Sequence, residues 1–338
     1  MVIIIQDGAS EETIQNIIGK VTELGFAPHP LYGVEKTVVA VIGDKTQEQI
    51  DSLQAMPGVE RIVPILRPFK LAARTVQPEG TQVDLGGGVV VGGRQVVMMA
   101  GPCAIESAEQ YLSIGRFVRA AGASVLRGGI FKPRTSPHDF QGLREEGIPI
   151  LRQVREELGM LLISEVLDPR GVELMHDVVD IFQIGTRNMQ NFSLLTECGK
   201  SGKPVVIKRG MCATLEDLLK AAEYVLVEGN NRVILCERGI RTFEDQYRST
   251  LDISAVPALK SMSHLPVIVD PSHAAGRTDL VPALCKAAIA AGADGLLVET
   301  HCNPLKALVD GSQALDAEQF HTLMDALRPF AHAAGREL

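Results

Sequence analysis

The chain has 338 residues and a net charge of −8, from 33 Lys and Arg against 41 Asp and Glu. That length predicts one large domain with a smaller one, and 46% hydrophobic with 22% charged residues is a globular composition. The acidic balance argues against a nucleic-acid partner, and no apolar run of about 18 residues offers a membrane span. The start, Met1 to Asp7, lacks the basic and small-residue pattern of a signal peptide. Cysteines at 103, 198, 212, 236, 285 and 302 form no Cys-x-x-Cys pair, which predicts a reducing, cytoplasmic setting with single thiols as core residues or ligands.

Residues 1–70 read as a small separate unit. Val2–Ile5 is a predicted strand. Ser10 caps a helix whose Ile14, Ile17, Ile18, Val21 and Leu24 recur at helical spacing until Gly25. A strand near 26–32, a β-branched strand over Thr37–Ile42, a turn at Gly43-Asp44, a helix over Gln47–Met56 and a strand over Val59–Ile65 complete a β-α-β-β-α-β order, the ferredoxin-like pattern. His29, between Pro28 and Pro30, reads as an ordinary loop histidine. Residues 71–95 are expected to link this unit to the rest, with a hairpin of Val83–Leu85 and Val89–Val91 around a glycine triplet. That triplet lacks the spacing of a dinucleotide-binding loop.

From residue 96 to 338 strands and helices alternate. Strands are predicted at Val96–Met99, Ser124–Leu126, Leu161–Ser164, Ile181–Ile184, Pro204–Ile207, Arg232–Leu235, Pro266–Val269 and Gly295–Val298. Helices are predicted at Ala108–Ala121, Pro149–Leu158, Pro169–Val178, Asn191–Cys198, Thr214–Glu228, Ser254–Ser261 and Leu280–Ala291. Eight such units fit a (β/α)8 TIM barrel, typically about 250 residues long. A doubly wound sheet is the rival, but it would gather function at one switch point, whereas polar residues here follow nearly every strand.

Those residues form the predicted rim. Cys103 follows the first strand, and Arg127, Lys132, Arg134, Thr135 and Ser136 follow the second. Glu165, Arg187, Lys208 with Arg209, Glu237 with Arg238, Asp270 with His273, and Glu299 with Asp310 follow the others in turn. Charged residues seldom end buried strands without a purpose. The cations suit substrates bearing phosphate and carboxylate, because Arg offers a planar fork and Lys a compact charge. Cys103, His273, Glu299 and Asp310 are candidate ligands for a borderline divalent metal such as Mn, Fe, Co or Zn. By spacing alone, Cys103 also reads as a small core residue and His273 as a satisfied loop histidine.

The segments Gly101–Ser107, Lys132–Pro137, Gln183–Asn188, Cys236–Gly239 and Asp270–His273 together resemble 3-deoxy-D-arabino-heptulosonate 7-phosphate (DAHP) synthase, of the type I beta class that carries an amino-terminal ferredoxin-like domain. The resemblance spans essentially the whole chain. It implies a transferase that condenses phosphoenolpyruvate with erythrose 4-phosphate at the first step of the shikimate pathway. Carried over residue by residue, Cys103, His273, Glu299 and Asp310 match the metal ligands. Arg127, Lys132, Arg187, Lys208 and Arg238 match the phosphoenolpyruvate site, and Arg134, Thr135 and Ser136 the aldose phosphate motif. Lys132, Cys103 and His273 are the expected catalytic residues, with Lys132 the candidate proton donor.

The related 3-deoxy-D-manno-octulosonate 8-phosphate synthase, which takes arabinose 5-phosphate, is the nearest alternative. Its Lys-Ala-Asn-Arg-Ser differs from Lys132-Pro133-Arg134-Thr135 here. A catalytically silent barrel that binds a partner, and a Schiff-base aldolase using Lys132 or Lys208, are further alternatives. The resemblance also implies a homotetramer, feedback by Tyr or Phe through Pro28–Gly33, and chorismate mutase as a partner. His138 and Asp139, Ala274-Ala275 and Cys302 depart from the family's usual residues. Cys302 is read as a loop variant without a role and Arg277 as a surface cation.

Overall fold

The computed structural model describes residues 1–33, 36–43, 46–63, 68–134 and 136–338. These separate into two compact units: Met1–Thr81 with Ser261–His264, and Gln82–Lys260 with Leu265–Leu338.

In the first unit, strands β1 (Val2–Ile5), β2 (Ala27–Tyr32), β3 (Thr37–Ile42) and β4 (Val59–Val63) form an antiparallel sheet in the order β2-β3-β1-β4. The period-2 alternation puts Ile3, Ile5, Val39 and Val41 into one cluster with Ile14, Ile17 and Val21 of the helix Glu11–Glu23 and Leu53 of the helix Gln47–Gln54. Burying an Ile or Val side chain stabilises by about 1.5–3 kcal/mol, so this apolar face holds the helices on the sheet. Ser10 accepts from Thr13 N, and Thr46 forms a capping box with Gln49. His29 lies within β2 and not in a loop. Flanking prolines suggested a loop, but an edge strand tolerates proline because its outward N–H positions need no partner. Asp44, and Ile65 at the expected end of β4, lie outside the described residues.

The second unit opens with the hairpin β5 (Val83–Gly86) and β6 (Val89–Val91). Eight parallel strands follow: β7 (Val97–Gly101), β8 (Val125–Arg127), β9 (Leu161–Val166), β10 (Ile181–Ile184), β11 (Val205–Lys208), β12 (Val233–Glu237), β13 (Val267–Val269) and β14 (Gly295–Glu299). They close into a barrel in chain order, with β14 pairing β7. Val83, Leu85 and Val91 of the hairpin cluster with Val97, Val125 and Ile181 near the strand starts, so the hairpin covers the amino-terminal mouth. The carboxyl-terminal mouth is left for the loops.

Two corrections concern the site. Glu165, Arg127, Lys208, Glu237 and Glu299 were expected after their strands, yet each lies within one and is locked into the parallel ladder. Their backbones are thereby fixed by sheet hydrogen bonds. The expected elements also contain no helix after the last strand, whereas Ala317–Ala333 is helical. Asp316 and Gln319 form its capping box, and Phe320, Leu323, Met324, Leu327 and Ala331 form its buried stripe. No helix among the described residues is long and apolar enough to cross a membrane.

Candidate active site

The strand ends bring distant residues to one mouth. β7 ends at Gly101 with φ of 151°, where an added Cβ would collide with the Arg127 carbonyl, so glycine permits the close approach of β7 and β8. Two residues on, Cys103 points inward and is buried. His273 sits in the short helix Pro271–Ala275, which Asp270 caps by accepting from His273 N at 2.9 Å. Glu299 ends β14. Asp310 lies in the following loop with φ of 53°, a left-handed conformation that Asp adopts more readily than most residues.

One ligand atom each from Cys103, His273, Glu299 and Asp310 lies within 4.8 Å of the others. Cys103 Sγ is 3.1 Å from Asp310 Oδ2 and 3.7 Å from His273 Nε2. His273 Nε2 is 3.5 Å from Glu299 Oε2. Glu299 Oε1 is buried with no hydrogen-bond partner among the described residues. A buried carboxylate oxygen left bare is costly, and a cation at the centre of such a set would satisfy it. One thiol, one imidazole and two carboxylates therefore fit a borderline divalent metal. Burial pushes the Cys103 thiol up to about 12, with Glu299 adding to the rise and Lys132 and Arg127 pulling against it. Burial likewise raises Glu299 and holds His273 well below its ordinary value, so the imidazole is neutral and available as a ligand.

Beside this cluster is a cationic cavity. Arg127, Lys132, Arg187, Lys208 and Arg238, all expected from the sequence, line it together with Glu165, Gln183, His273 and Arg248. Lys132 belongs to both places: its Nζ contacts Cys103 Sγ and lies 3.5 Å from Asp310 Oδ2. Burial works against its charge, but Cys103, Glu299 and Asp310 keep its pKa above the usual value. Arg127 is 3.8 Å from Glu299 and Lys208 is 2.5 Å from Asp270. Arg238 donates to the His273 carbonyl and Ser249 Oγ, both neutral groups.

Of the aldose motif, Arg134 and Ser136 are not among the residues that line this cavity. Arg134 pairs with Asp139 at 3.0 Å, and Ser136 Oγ accepts from His138 N. Thr135 lies outside the described residues. Cys302 is exposed and is not among the clustered ligands, and Arg277 is an exposed cation paired with Asp279. All six cysteines are free.

Several participants carried no assigned role in the sequence reading. Asp270 Oδ2 lies 2.8 Å from His273 Nδ1 as well as beside Lys208, and these two hold its pKa well below normal although burial opposes that. Arg248 contacts Asp310, and Gln313 contacts Glu299. Arg209 joins Glu237 and Asp252 at 2.9 Å each and anchors the ends of β11 and β12. Arg209 and Asp270 had a sequence signal, a charge directly after an apolar strand and, for Asp270, an Asp-Pro helix start; Arg248 and Gln313 had none.

A sequence model of the DAHP synthetase I family matches residues 75–332, and one of the DAHP synthase ferredoxin-like domain matches residues 1–67. Phospho-2-dehydro-3-deoxyheptonate aldolase of Thermotoga maritima is 44% identical over 335 residues, covering 99% of each chain. A 2-dehydro-3-deoxyphosphooctonate aldolase of Desulfosudis oleivorans is 31% identical over 261 residues, covering 72% of this chain and 93% of its own. The crystal structure of the Thermotoga maritima DAHP synthase matches with a TM-score of 0.78 at 43% identity, over 99% of this chain and 98% of that one. A truncated form of 3-deoxy-D-arabino-heptulosonate 7-phosphate synthase from the same organism matches 79% of this chain with a TM-score of 0.73 at 44% identity, over 98% of its own length. With its barrel, its clustered ligands and both sequence matches, the chain belongs to the DAHP synthetase I family.

Proposed function

We propose that the protein condenses phosphoenolpyruvate with D-erythrose 4-phosphate and water to give 3-deoxy-D-arabino-heptulosonate 7-phosphate and phosphate, the first step of the shikimate pathway. The observation that carries this reading is Lys132, which lines the cationic cavity and also touches Cys103 of the ligand cluster. A site for a doubly anionic substrate thus adjoins a site for an electrophile.

Arg127, Arg187, Lys208 and Arg238 hold the phosphate and carboxylate of phosphoenolpyruvate. Lys132 stays charged and gives its proton to the aldehyde oxygen as C3 of phosphoenolpyruvate attacks the aldehyde carbon. Water adds at C2 and its proton restores the charge of Lys132; the C2 hydroxyl then collapses to the ketone as the C2–O bond to phosphate breaks, and its proton leaves with the phosphate. A divalent ion (Mn, Fe, Co or Zn) held by Cys103, His273, Glu299 and Asp310 would supply Lewis acidity toward the aldehyde oxygen. Arg134, Thr135 and Ser136 receive the aldose phosphate, and holding both substrates turns a bimolecular encounter into an oriented one.

The amino-terminal unit is regulatory in this reading, binding Tyr or Phe through Pro28–Gly33 in a homotetramer, with chorismate mutase as a partner protein. Unpaired thiols at all six cysteines suit a cytoplasmic enzyme.

The test is phosphate release from phosphoenolpyruvate, with erythrose 4-phosphate against arabinose 5-phosphate. Preference for the four-carbon sugar supports the reading, and preference for arabinose 5-phosphate replaces it with octulosonate synthesis. Activity should vanish in chelator and return with Mn; full activity in chelator sinks the metal assignment. Phosphate release that is absent with either sugar and with added metal leaves the silent barrel. A chain starting at Val76 should stay active and lose any inhibition by Tyr or Phe.

A further inference from the structure

Glu299 and Asp310 are each held by a side chain outside the ligand set, and one of the two, Arg248, also lines the cationic cavity. Gln313 Nε2 donates to Glu299 Oε2 at 2.6 Å. Arg248 Nη1 donates to Asp310 Oδ1 at 3.3 Å. The two holders are themselves joined, because Arg248 Nη1 also donates to Gln313 Oε1 at 3.0 Å. The result is a continuous chain: Asp310, Arg248, Gln313, Glu299.

The chemistry of each link is specific. Gln313 is buried, with 1% of its surface exposed, and both ends of its amide are used. A neutral amide can accept from a cation at one end and donate to a carboxylate at the other. A Glu in its place would repel Glu299, and a Met would serve neither end. The backbone puts Gln313 there through a tight turn, Gly311–Gln313, in which Gln313 N donates to the Asp310 carbonyl at 3.2 Å. Leu315 N then donates to the Glu299 carbonyl, so the segment runs beside the end of β14.

In each carboxylate the chain pins one oxygen. Asp310 Oδ1 goes to Arg248 while Oδ2 faces Cys103 and His273. Glu299 Oε2, the oxygen 3.5 Å from His273 Nε2, accepts from Gln313, while Oε1 is left without a hydrogen-bond partner. We propose that Gln313 and Arg248 form a brace that orients Glu299 and Asp310 and thereby sets the affinity of the site for a divalent metal. The proposal rests on the reading of those carboxylates as metal ligands. Gln313 and Arg248 are positioning residues: they act through the carboxylates.

The experiment titrates the metal-stripped full-length protein with Co2+ and follows both the dissociation constant and the thiolate-to-metal absorption band. Partners of this kind typically change metal affinity about 10- to 100-fold. Gln313→Met is expected to weaken Co2+ binding by that factor and to shift the band, while the metal-free variant keeps the parent's circular dichroism. Arg248→Met, on a side chain 38% exposed and so safe for folding, is expected to weaken binding by a smaller factor. Because the two act as one unit, the double variant should lose less than the product of the single losses. Parent-like affinity and spectrum in either single variant, or losses that multiply independently, overturn the brace. A parent protein that takes up no Co2+ instead overturns the metal reading itself, and the brace falls with it.

Discussion

Lys208 and Asp270 meet at 2.5 Å although a whole strand stands between them: Lys208 ends β11, Asp270 follows β13, and β12 runs between. In a parallel barrel, alternate strands supply the same interior layer, which is how these residues come to share a level. Both are buried, and Asp270 also fixes His273. Removing one partner of such a pair leaves an uncompensated charge, at a cost of about 3–5 kcal/mol. Asp270→Asn should lower the unfolding free energy by about that amount in urea titrations. It should also reduce kcat/KM for phosphate release by about 10- to 100-fold, through the freed imidazole. A variant within about 1 kcal/mol of the parent would mean that Lys208 finds another partner.

Arg238 makes the opposite case. Its described hydrogen-bond partners are two carbonyls and a hydroxyl, and burial holds its pKa below the ordinary value. Such a desolvated cation gains most when an anion arrives. A hydrogen bond to a charged group contributes about 1.5–3 kcal/mol, and about 1.4 kcal/mol is tenfold in affinity. Arg238→Ala should raise KM for phosphoenolpyruvate roughly 10- to 100-fold and diminish the thermal stabilisation it confers. An unchanged KM would make Arg238 a packing residue.

The barrel was legible because its signals are local. A buried parallel strand is a short apolar run, and a helix announces itself by caps and period. The candidate ligands and cavity cations were legible because charged residues at strand ends are conspicuous, and the family motifs name them. What escaped is non-local. Arg248 and Gln313 are separated by 65 positions and lie in loops without periodicity, so nothing in the sequence pairs them. Glu165 and Lys208 were expected in loops because a charge ends an apolar run by eye, whereas the ladder continues through it. The helix Ala317–Ala333 was readable from Asp316 and Gln319, but Pro329 in its interior weakened the pattern.

The Arg134–Asp139 pair bears on the second substrate. Asp139 stands where the family pattern differs, and at 3.0 Å it takes Nη2 of the guanidinium expected to receive the aldose phosphate. Both side chains are partly exposed, at 23% and 44%, so the pair is worth no more than about 1 kcal/mol. Asp139→Asn should therefore lower KM for erythrose 4-phosphate by no more than about fivefold, with kcat and the KM for phosphoenolpyruvate unchanged. A rise in KM instead would mean that Asp139 orients Arg134 for the sugar and does not compete with it.

His264 supplies a pH dependence of the first unit's stability. In the first unit its Nδ1 lies 2.6 Å from Thr81 Oγ1 and its Nε2 lies 2.7 Å from the Leu71 carbonyl. Burial lowers its pKa to about 4, with the Leu71 carbonyl acting in the opposite direction. An unfolded chain takes up this proton near pH 6.5. Between those values the unfolded state binds more protons than the folded one, so stability is fully present above about pH 6.5 and is lost as pH falls toward 4. The shift corresponds to roughly 3 kcal/mol across that window. Urea titrations at pH 7 and pH 5 should show the parent losing on the order of 2 kcal/mol more than His264→Gln, which has no imidazole to protonate. Equal losses in both proteins would mean that His264 is protonated in the folded state as readily as in the unfolded one.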